Sequence, residues 1–181
     1  MAENFQAKLY LDEDTKNLPY DMRADRFVQR INRILQPFDP ELKLVSATAY
    51  GAFTTHELIP DQEKVTLEST YTHPDVAFSF NYLPARPPMC KDCKDDATVP
   101  KKPKKKLSYL KLKEIMLQDL HLELEDADTK LSPIVICTSD EDFEEVIELI
   151  ISWGFKVILL TNVDAEDSLK NSAHLCSTSW F

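Results

Sequence analysis

Two short apolar segments in the last third of the chain constrain its fold more than any other feature. Residues 133–138 (PIVICT) and 155–161 (FKVILLT) are almost entirely apolar, which is typical of parallel strands buried on both faces. The segment between them begins at Ser139, has an apolar face at helical spacing and ends at Gly154. The pattern therefore predicts a strand–helix–strand unit whose two strands are parallel.

The rest of the chain continues this alternation of strands and helices. Further strands are predicted at residues 7–12, 42–50 and 76–83. Helices are predicted at about residues 21–36, 109–125 and 167–175. Residues 65–71 alternate and form either another strand or a short helix. The predicted class is α/β, a three-layer sandwich in which helices flank a mainly parallel sheet.

The length and a break in composition define the domain organisation. A chain of 181 residues suits a single domain covering 1–181. At about 86–106, prolines and lysines replace the apolar periodicity, so we expect a flexible insertion that cannot offset its ordering entropy. Cys90 and Cys93 within it have zinc-ligand spacing, but no second pair follows nearby, so a loop dithiol is the favoured interpretation.

The charge balance limits how the chain can meet nucleic acid. Its formal net charge is −10, so its mean field repels phosphate and any contact with nucleic acid needs a local basic patch. One strong basic run is present, formed by Lys101, Lys102, Lys104, Lys105 and Lys106. This run is a candidate RNA-binding patch, a nuclear import signal or a solvated linker.

Several classes of protein are excluded or disfavoured by composition. With only two glycines, the chain has no glycine-rich phosphate loop. No apolar run approaches the ~20 residues that span a bilayer, and the first residues lack a signal-peptide pattern. Four cysteines do not indicate a disulfide framework. We expect an intracellular protein, cytoplasmic or nuclear, with no membrane partner.

Four aspartates are candidates for a shared site. Asp12 ends the first predicted strand, Asp140 and Asp142 follow the 133–138 strand, and Asp119 lies on the preceding helix. Ligands of parallel sheets bind beyond the carboxyl ends of the strands, and clustered carboxylates suit Mg²⁺ or Mn²⁺. The alternative is purely structural: Ser139 caps a helix whose first turn favours acids, Asp12 is a turn residue, and Asp119 is solvated.

A family resemblance favours the metal-site interpretation. Residues 134–143 (IVICTSDEDF), with the Gly-x-x-Val strand that starts at Gly154, resemble the signature of the NYN branch of PIN-like ribonucleases. Similar motifs of the limkain-like, plant-expanded subgroup occur at 49–51 (AYG), 78–85 (FSFNYLPA) and 167–173 (DSLKNSA). The resemblance implies a PIN-like sandwich and a metal-dependent endonuclease that cuts single-stranded RNA, with a role in RNA processing or regulation of gene expression.

The resemblance also implies roles for individual residues. Asp12, Asp119, Asp140 and Asp142 would hold Mg²⁺ or Mn²⁺ and orient the attacking water. The chain departs from the family where Thr15 replaces an asparagine and Ser139 replaces a glycine. These departures keep open a catalytically degenerate domain that binds RNA or other proteins, including a second copy of itself.

A more remote alternative comes from the first strand. Residues 9–15 (LYLDEDT) are similar to the nucleophile motif of haloacid-dehalogenase-like phosphatases, in which the first aspartate attacks phosphorus and the second transfers a proton. The later residues of that family do not follow the expected spacing here.

Overall fold

Parallel strands form one sheet in the computed structural model, which describes residues 6–12, 22–51, 71–82, 105–125 and 131–178. The six described strands are β1 (Gln6–Asp12), β2 (Lys43–Gly51), β3 (Ala77–Tyr82), β4 (Ile134–Cys137), β5 (Val157–Leu160) and β6 (Leu175–Ser177). Their order is β3-β2-β1-β4-β5-β6, and every neighbouring pair is parallel. The predicted α/β class with a parallel sheet is confirmed.

Helices cover both faces of the sheet. The described helices are α1 (Ala24–Leu35), α2 (Lys105–Glu125), a 3₁₀ turn (Glu141–Phe143) that leads into α3 (Glu144–Ser152), and α4 (Asp167–Ser172). One apolar cluster joins α1 to the sheet, and a second joins α2, α3 and α4 to its opposite face. The arrangement is a three-layer sandwich. None of the described helices has both the length and the apolar character needed to cross a membrane.

The apolar spacing in each helix determines which side faces the sheet. In α1 the side chains of Phe27, Val28 and Ile31 are buried against β1 and its neighbours. In α2 the buried positions recur every four residues, at Leu112, Met116 and Leu120, which places them on one face. Burial of aliphatic and aromatic side chains contributes about 1.5–3 kcal/mol each, so these two interfaces stabilise the sandwich.

Among the element boundaries that differ from the predictions, two have a clear physical cause. The last helix, predicted to reach Leu175, ends at Ser172, and Leu175 begins β6. The main-chain NH of His174 donates to the carbonyl of Val157 at 3.1 Å. The chain after Ser172 therefore pairs with the open edge of β5 and does not continue the helix. Helix α2 begins at Lys105 rather than Tyr109, because lysine and leucine are strong helix formers.

The predicted flexible insertion is described by the structure only at its end. Lys105 and Lys106, which were predicted to belong to the insertion, are helical instead. Residues 65–71, apart from Tyr71, and residues 86–104 with Cys90 and Cys93 are outside the described part of the chain.

Gly154 follows the end of helix α3, as predicted. Its φ of +94° lies in the left-handed region that favours glycine. Its NH donates to the carbonyl of Ile151 at 2.9 Å, and the NH of Phe155 donates to Ile150 at 3.4 Å. This termination satisfies carbonyls at the end of α3 and turns the chain directly into β5.

A half-buried ion pair ties α2 to the start of the sheet. The ammonium of Lys8 on β1 lies 2.6 Å from Oε2 of Glu123, whose side chain is only 6% exposed. The other carboxylate oxygen, Oε1, accepts a hydrogen bond of 2.6 Å from the backbone NH of Ser132, just before β4. Glu123 therefore connects β1, α2 and the approach to β4.

We predict that Glu123→Ala lowers the free energy of unfolding by about 2 kcal/mol, because it leaves the Ser132 NH and Lys8 without their partner. The matched control is Glu114→Ala, which removes a carboxylate paired with Lys111 at 2.6 Å but half exposed on the same helix. Urea unfolding should show a clear loss for the first variant and an unchanged midpoint for the second. Equal midpoints would contradict the connecting role of Glu123.

Candidate functional site

The strand order creates a crevice between β1 and β4. The chain builds outward from β1 to β3 on one side and then returns to β4, β5 and β6 on the other. In open parallel sheets, ligands bind beyond the carboxyl ends of the strands at this point of reversal. Asp12 is the last residue of β1, and Thr138 directly follows β4, whose Cys137 is in register with Leu11. Both residues therefore lie at the crevice.

Buried polar side chains concentrate at this edge. Apart from tyrosines, the buried polar residues of the described chain are Asp12 (2% exposed), Thr138 (0%) and Thr161 (0%). They end or follow three adjacent strands, since Cys137 of β4 is in register with Leu160 of β5. Burying polar groups costs free energy unless they are hydrogen-bonded. The buried polar side chains therefore satisfy one another at this edge, where Thr138 bonds Asp12 and Thr161 lies 3.1 Å from the hydroxyl of Ser139.

The hydroxyl of Thr138 connects two of the predicted site residues. It donates to Oδ2 of Asp12 at 3.0 Å, and it accepts from the backbone NH of Asp140 at 3.1 Å. Because the NH of Asp140 occupies an acceptor position of the hydroxyl, the hydroxyl proton is directed to Asp12. The structure thus brings Asp12 and Asp140 together through one side chain.

Asp140 caps the helical segment that follows, and the prediction that Ser139 does so is wrong. Oδ1 of Asp140 accepts from the NH of Asp142 at 3.1 Å, while the described residues supply no hydrogen-bond donor to its Oδ2. The hydroxyl of Ser139 instead accepts from the NH of Asn162 at 3.1 Å and lies 3.1 Å from that of Thr161. The hydroxyl of Ser139 therefore bonds residues after β5 and does not cap the helix. Asp142 is exposed beside Asp140.

Asp119 is not brought into this group. Its Oδ2 accepts from the hydroxyl of Tyr10 at 3.1 Å. Lys8 contacts Glu123, and Tyr10 contacts Asp119. Helix α2 therefore runs antiparallel to β1, and a step of two residues along the strand corresponds to a step of four residues along the helix. One further step along the strand, from Tyr10 to Asp12, corresponds to about residue 115 of the helix, which is one helical turn from Asp119.

Within the described residues, no three acidic, histidine or cysteine side chains are grouped so that they could hold a metal ion together. Asp14, the second aspartate of the phosphatase-like motif, lies outside the described residues. The metal-binding and catalytic roles of the four aspartates stay predictions.

The hydroxyl of Tyr10 stays protonated in the folded protein. Burial raises the pKa of Tyr10 far above its usual range, and the negative charge and hydrogen bond of Asp119 raise this pKa further. Tyr10 therefore acts as a fixed hydrogen-bond donor that holds the Asp119 carboxylate against the sheet.

The start of α2 lies close to the same edge. The ring of Tyr109 contacts that of Phe143 edge-on, with centroids 4.9 Å apart, which places the first turns of α2 beside the segment that Asp140 caps. Lys105 and Lys106 lie one turn earlier on this helix. The other predicted RNA-binding lysines, Lys101, Lys102 and Lys104, lie outside the described residues.

A polar groove adjoins the crevice on the α2 side. It has a volume of about 520 Å³ and is lined in part by Tyr50, Asn81, Lys111, Glu114 and Gln118. Tyr50 is in register with Asp12 across β1 and β2, so one residue of the groove lining is the strand neighbour of the buried carboxylate.

Sequence reasoning missed the residues that organise this site. Thr138 and Thr161 were assigned to strand ends without a role, although a threonine closes both apolar segments. A threonine at the end of each apolar segment is visible in the sequence, and it indicates that both strands end in hydrogen-bonding side chains. The pairing of Tyr10 with Asp119 depends on how α2 lies along β1, which no local pattern shows.

Comparisons with known proteins support the fold alone. No protein-family model matches the sequence, and no curated protein matches it significantly. Among solved structures, the crystal structure of a protein of unknown function from Vibrio parahaemolyticus is similar, with a TM-score of 0.52 and 17% sequence identity. The alignment covers 100% of this chain and 98% of that chain, so the likeness extends over the whole domain.

We predict that Thr138→Val lowers the free energy of unfolding by about 2 kcal/mol, because valine has nearly the same shape but leaves buried polar groups of Asp12 and Asp140 without this hydroxyl. Thr138→Ser, which keeps the hydroxyl, serves as the control and should lose clearly less. Chemical unfolding of both variants tests this, and equal losses would show that the threonine contributes only its packing.

We also predict that Tyr10→Phe changes how stability depends on alkaline pH. Above about pH 10 the unfolded chain loses the tyrosyl proton and the folded chain keeps it, so this group lowers wild-type stability by about 1.4 kcal/mol per pH unit. The variant lacks this loss. The difference in free energy of unfolding between wild type and variant, measured by urea unfolding, should therefore be smaller at about pH 11 than at about pH 8. Asp119→Asn should retain most of the loss, because burial is the larger cause. An identical pH dependence in Tyr10→Phe and wild type would contradict the assignment.

Proposed function

We propose that this chain is a metal-dependent endoribonuclease of the NYN type that cuts single-stranded RNA, with a role in RNA processing or regulation of gene expression. The observation that carries the proposal is a buried carboxylate, Asp12, joined through Thr138 to Asp140 at the crevice of a parallel sheet. A carboxylate placed there costs free energy and adds nothing to apolar packing. A ligand that requires it is the simplest reason for its position.

Two carboxylates fit a particular kind of metal site. Mg²⁺ usually keeps several of its waters and binds through one or two carboxylates together with substrate phosphates. Asp12 and Asp140 would hold Mg²⁺ or Mn²⁺ in this way. The metal, when bound, supplies charge neutralisation at the phosphate and lowers the pKa of its bound water.

The chain's own residues provide the remaining functions. Thr138 orients Asp12 and keeps the buried carboxylate hydrogen-bonded. Asp140 is half-buried, and its Oδ2 has no donor among the described residues, so this oxygen would be available to bind the metal and, through it, to orient the attacking water. Asp142 adds negative charge at the exposed mouth of the crevice.

The groove beside Asp12 suits an unpaired nucleotide. Asn81 and Gln118 present amide groups that can hydrogen-bond a base edge. Lys111 in the same groove is paired with Glu114 at 2.6 Å, so a phosphate would have to compete with that carboxylate for the ammonium group. Proteins read single-stranded RNA through such exposed base edges. The predicted RNA-binding lysine run ends at Lys105 and Lys106, which begin α2.

A second candidate function is a non-catalytic RNA-binding or protein-interaction module on the same fold. The contact between Asp119 and Tyr10 favours it, because one of the four proposed ligands is then a structural partner of the sheet. The two candidates differ in whether Asp140 is needed for cleavage.

We predict that Asp140→Asn abolishes Mn²⁺-dependent cleavage of a fluorescent single-stranded RNA, with a loss of about 10²-fold or more. Folding should be retained, because asparagine also caps a helical turn. Asp75→Asn is the matched control: Asp75 is exposed and precedes β3, at the opposite edge of the sheet. It should cleave as wild type does.

Rates of cleavage with and without a chelator identify the metal dependence. Equal cleavage by wild type and Asp140→Asn would remove Asp140 from catalysis and contradict the proposed site. No cleavage by either protein, with RNA binding retained, would support the binding module instead.

A further inference from the structure

The arginines of this chain are concentrated in one place. Four of the five arginines in the sequence are Arg23, Arg26, Arg30 and Arg33, and elsewhere the chain uses lysine almost exclusively. The guanidinium group is a planar fork that binds phosphate with two parallel hydrogen bonds, whereas lysine offers a point charge. Segregation of arginine from lysine therefore indicates recognition of a specific anionic group and not only solubility.

Helix α1 places three of these arginines, Arg26, Arg30 and Arg33, on one side. At about 100° per residue they fall within an arc of about 60°, and Arg23 precedes them as the helix N-cap with extended backbone. We call them the arginine face. The opposite side of α1 carries the buried residues Phe27, Val28 and Ile31, so the arginine face points away from the sheet. Arg26, Arg30 and Arg33 line a surface groove of about 460 Å³ together with Gln29.

Helix α1 carries no acid on the same side as the arginine face. The only acid on α1, Asp25, falls on another side, where its Oδ1 lies 4.0 Å from Nε2 of His73. Within the described residues, no carboxylate lies at ion-pair distance from Arg23, Arg26 or Arg33. Like charges three and four residues apart destabilise a helix, and cations near its beginning oppose the helix dipole. An anionic partner would relieve both costs.

The position of α1 relates this surface to the crevice. Helix α1 follows β1 and precedes the parallel strand β2, so it runs back along the sheet and begins at the edge where Asp12 lies. From Arg26 to Arg33 the helix rises about 10 Å, at 1.5 Å per residue. The arginine face is a strip that leads away from the crevice edge.

We propose that the arginine face binds the phosphate backbone of a single-stranded polynucleotide. The identification of that partner as the RNA substrate rests on the proposed ribonuclease function. Charge complementarity supports it: in a chain of net charge −10, the exposed Arg26 and Arg33 create a local positive field that attracts a polyanion and holds it against the repulsion of the remaining surface. The strip holds the strand while the crevice acts on one of its phosphates.

The test measures binding of a fluorescein-labelled oligouridylate by anisotropy, with a chelator present so that the RNA stays intact. Arg26→Gln/Arg33→Gln should bind about tenfold more weakly at ~100 mM salt and should reduce the slope of log affinity against log salt by about 1.4, the value for two phosphate contacts on a single strand. Arg26→Lys/Arg33→Lys should keep the slope and still lose affinity, because lysine cannot form the paired hydrogen bonds.

The matched control removes the same charge elsewhere. Lys43 and Lys156 are exposed near the beginnings of β2 and β5, at the opposite edge of the sheet, and Lys43→Gln/Lys156→Gln should bind RNA as wild type does. An arginine variant within twofold of wild type, or a control that loses equally, would overturn the inference. So would loss of self-association by the arginine variant, measured by sedimentation, with RNA affinity unchanged.

Cleavage assays on the same proteins separate this inference from the proposed function. Arginine-dependent binding without any Mn²⁺-dependent cleavage by wild type would support the arginine face and reject the nuclease. Cleavage that requires Asp140 but binding that ignores the arginines would support the nuclease and reject the arginine face.

Discussion

The hydrogen bond from Thr138 to Asp12 is the interaction on which the rest of the site depends. A carboxylate that is 2% exposed at the end of a parallel strand is tolerated only with hydrogen-bond donors close by. Thr138 supplies one at 3.0 Å, and its own orientation is fixed by the NH of Asp140. The position of Asp140 therefore follows from the same hydroxyl. One side chain sets the geometry between the two strands that border the crevice.

The sandwich provides the rigid frame that this interaction needs. Both faces of β1 and β4 are covered, by α1 on one side and by α2 and α3 on the other. The cores are apolar up to the last residue of each strand, where polarity begins abruptly at Asp12, Thr138 and Thr161. Glu123 and Tyr10 fix α2 along β1, so the helix that borders the groove is held by polar contacts on one strand.

The sequence was sufficient to predict the elements whose burial is extreme and insufficient where tertiary contacts decide. The strands β4 and β5 were predictable from their continuous apolar runs. The end of α3 was predictable from the glycine at position 154, whose positive φ explains why a glycine is needed there. Strand β6 was missed because three residues carry no periodicity and pair only because β5 offers an edge. The position of Asp119 could not be predicted, since local spacing does not fix how far α2 slides along β1.

An anomalous diffraction map of crystals grown with Mn²⁺ and a single-stranded oligonucleotide tests the proposed metal site most directly. We expect a manganese peak in contact with carboxylate oxygens of Asp12 and Asp140, with Thr138 still bonded to Asp12 and Asp119 still bonded to Tyr10. A map without manganese at this edge, in which Asp12 contacts only protein groups and Asp140 serves only as a helix cap, would contradict it.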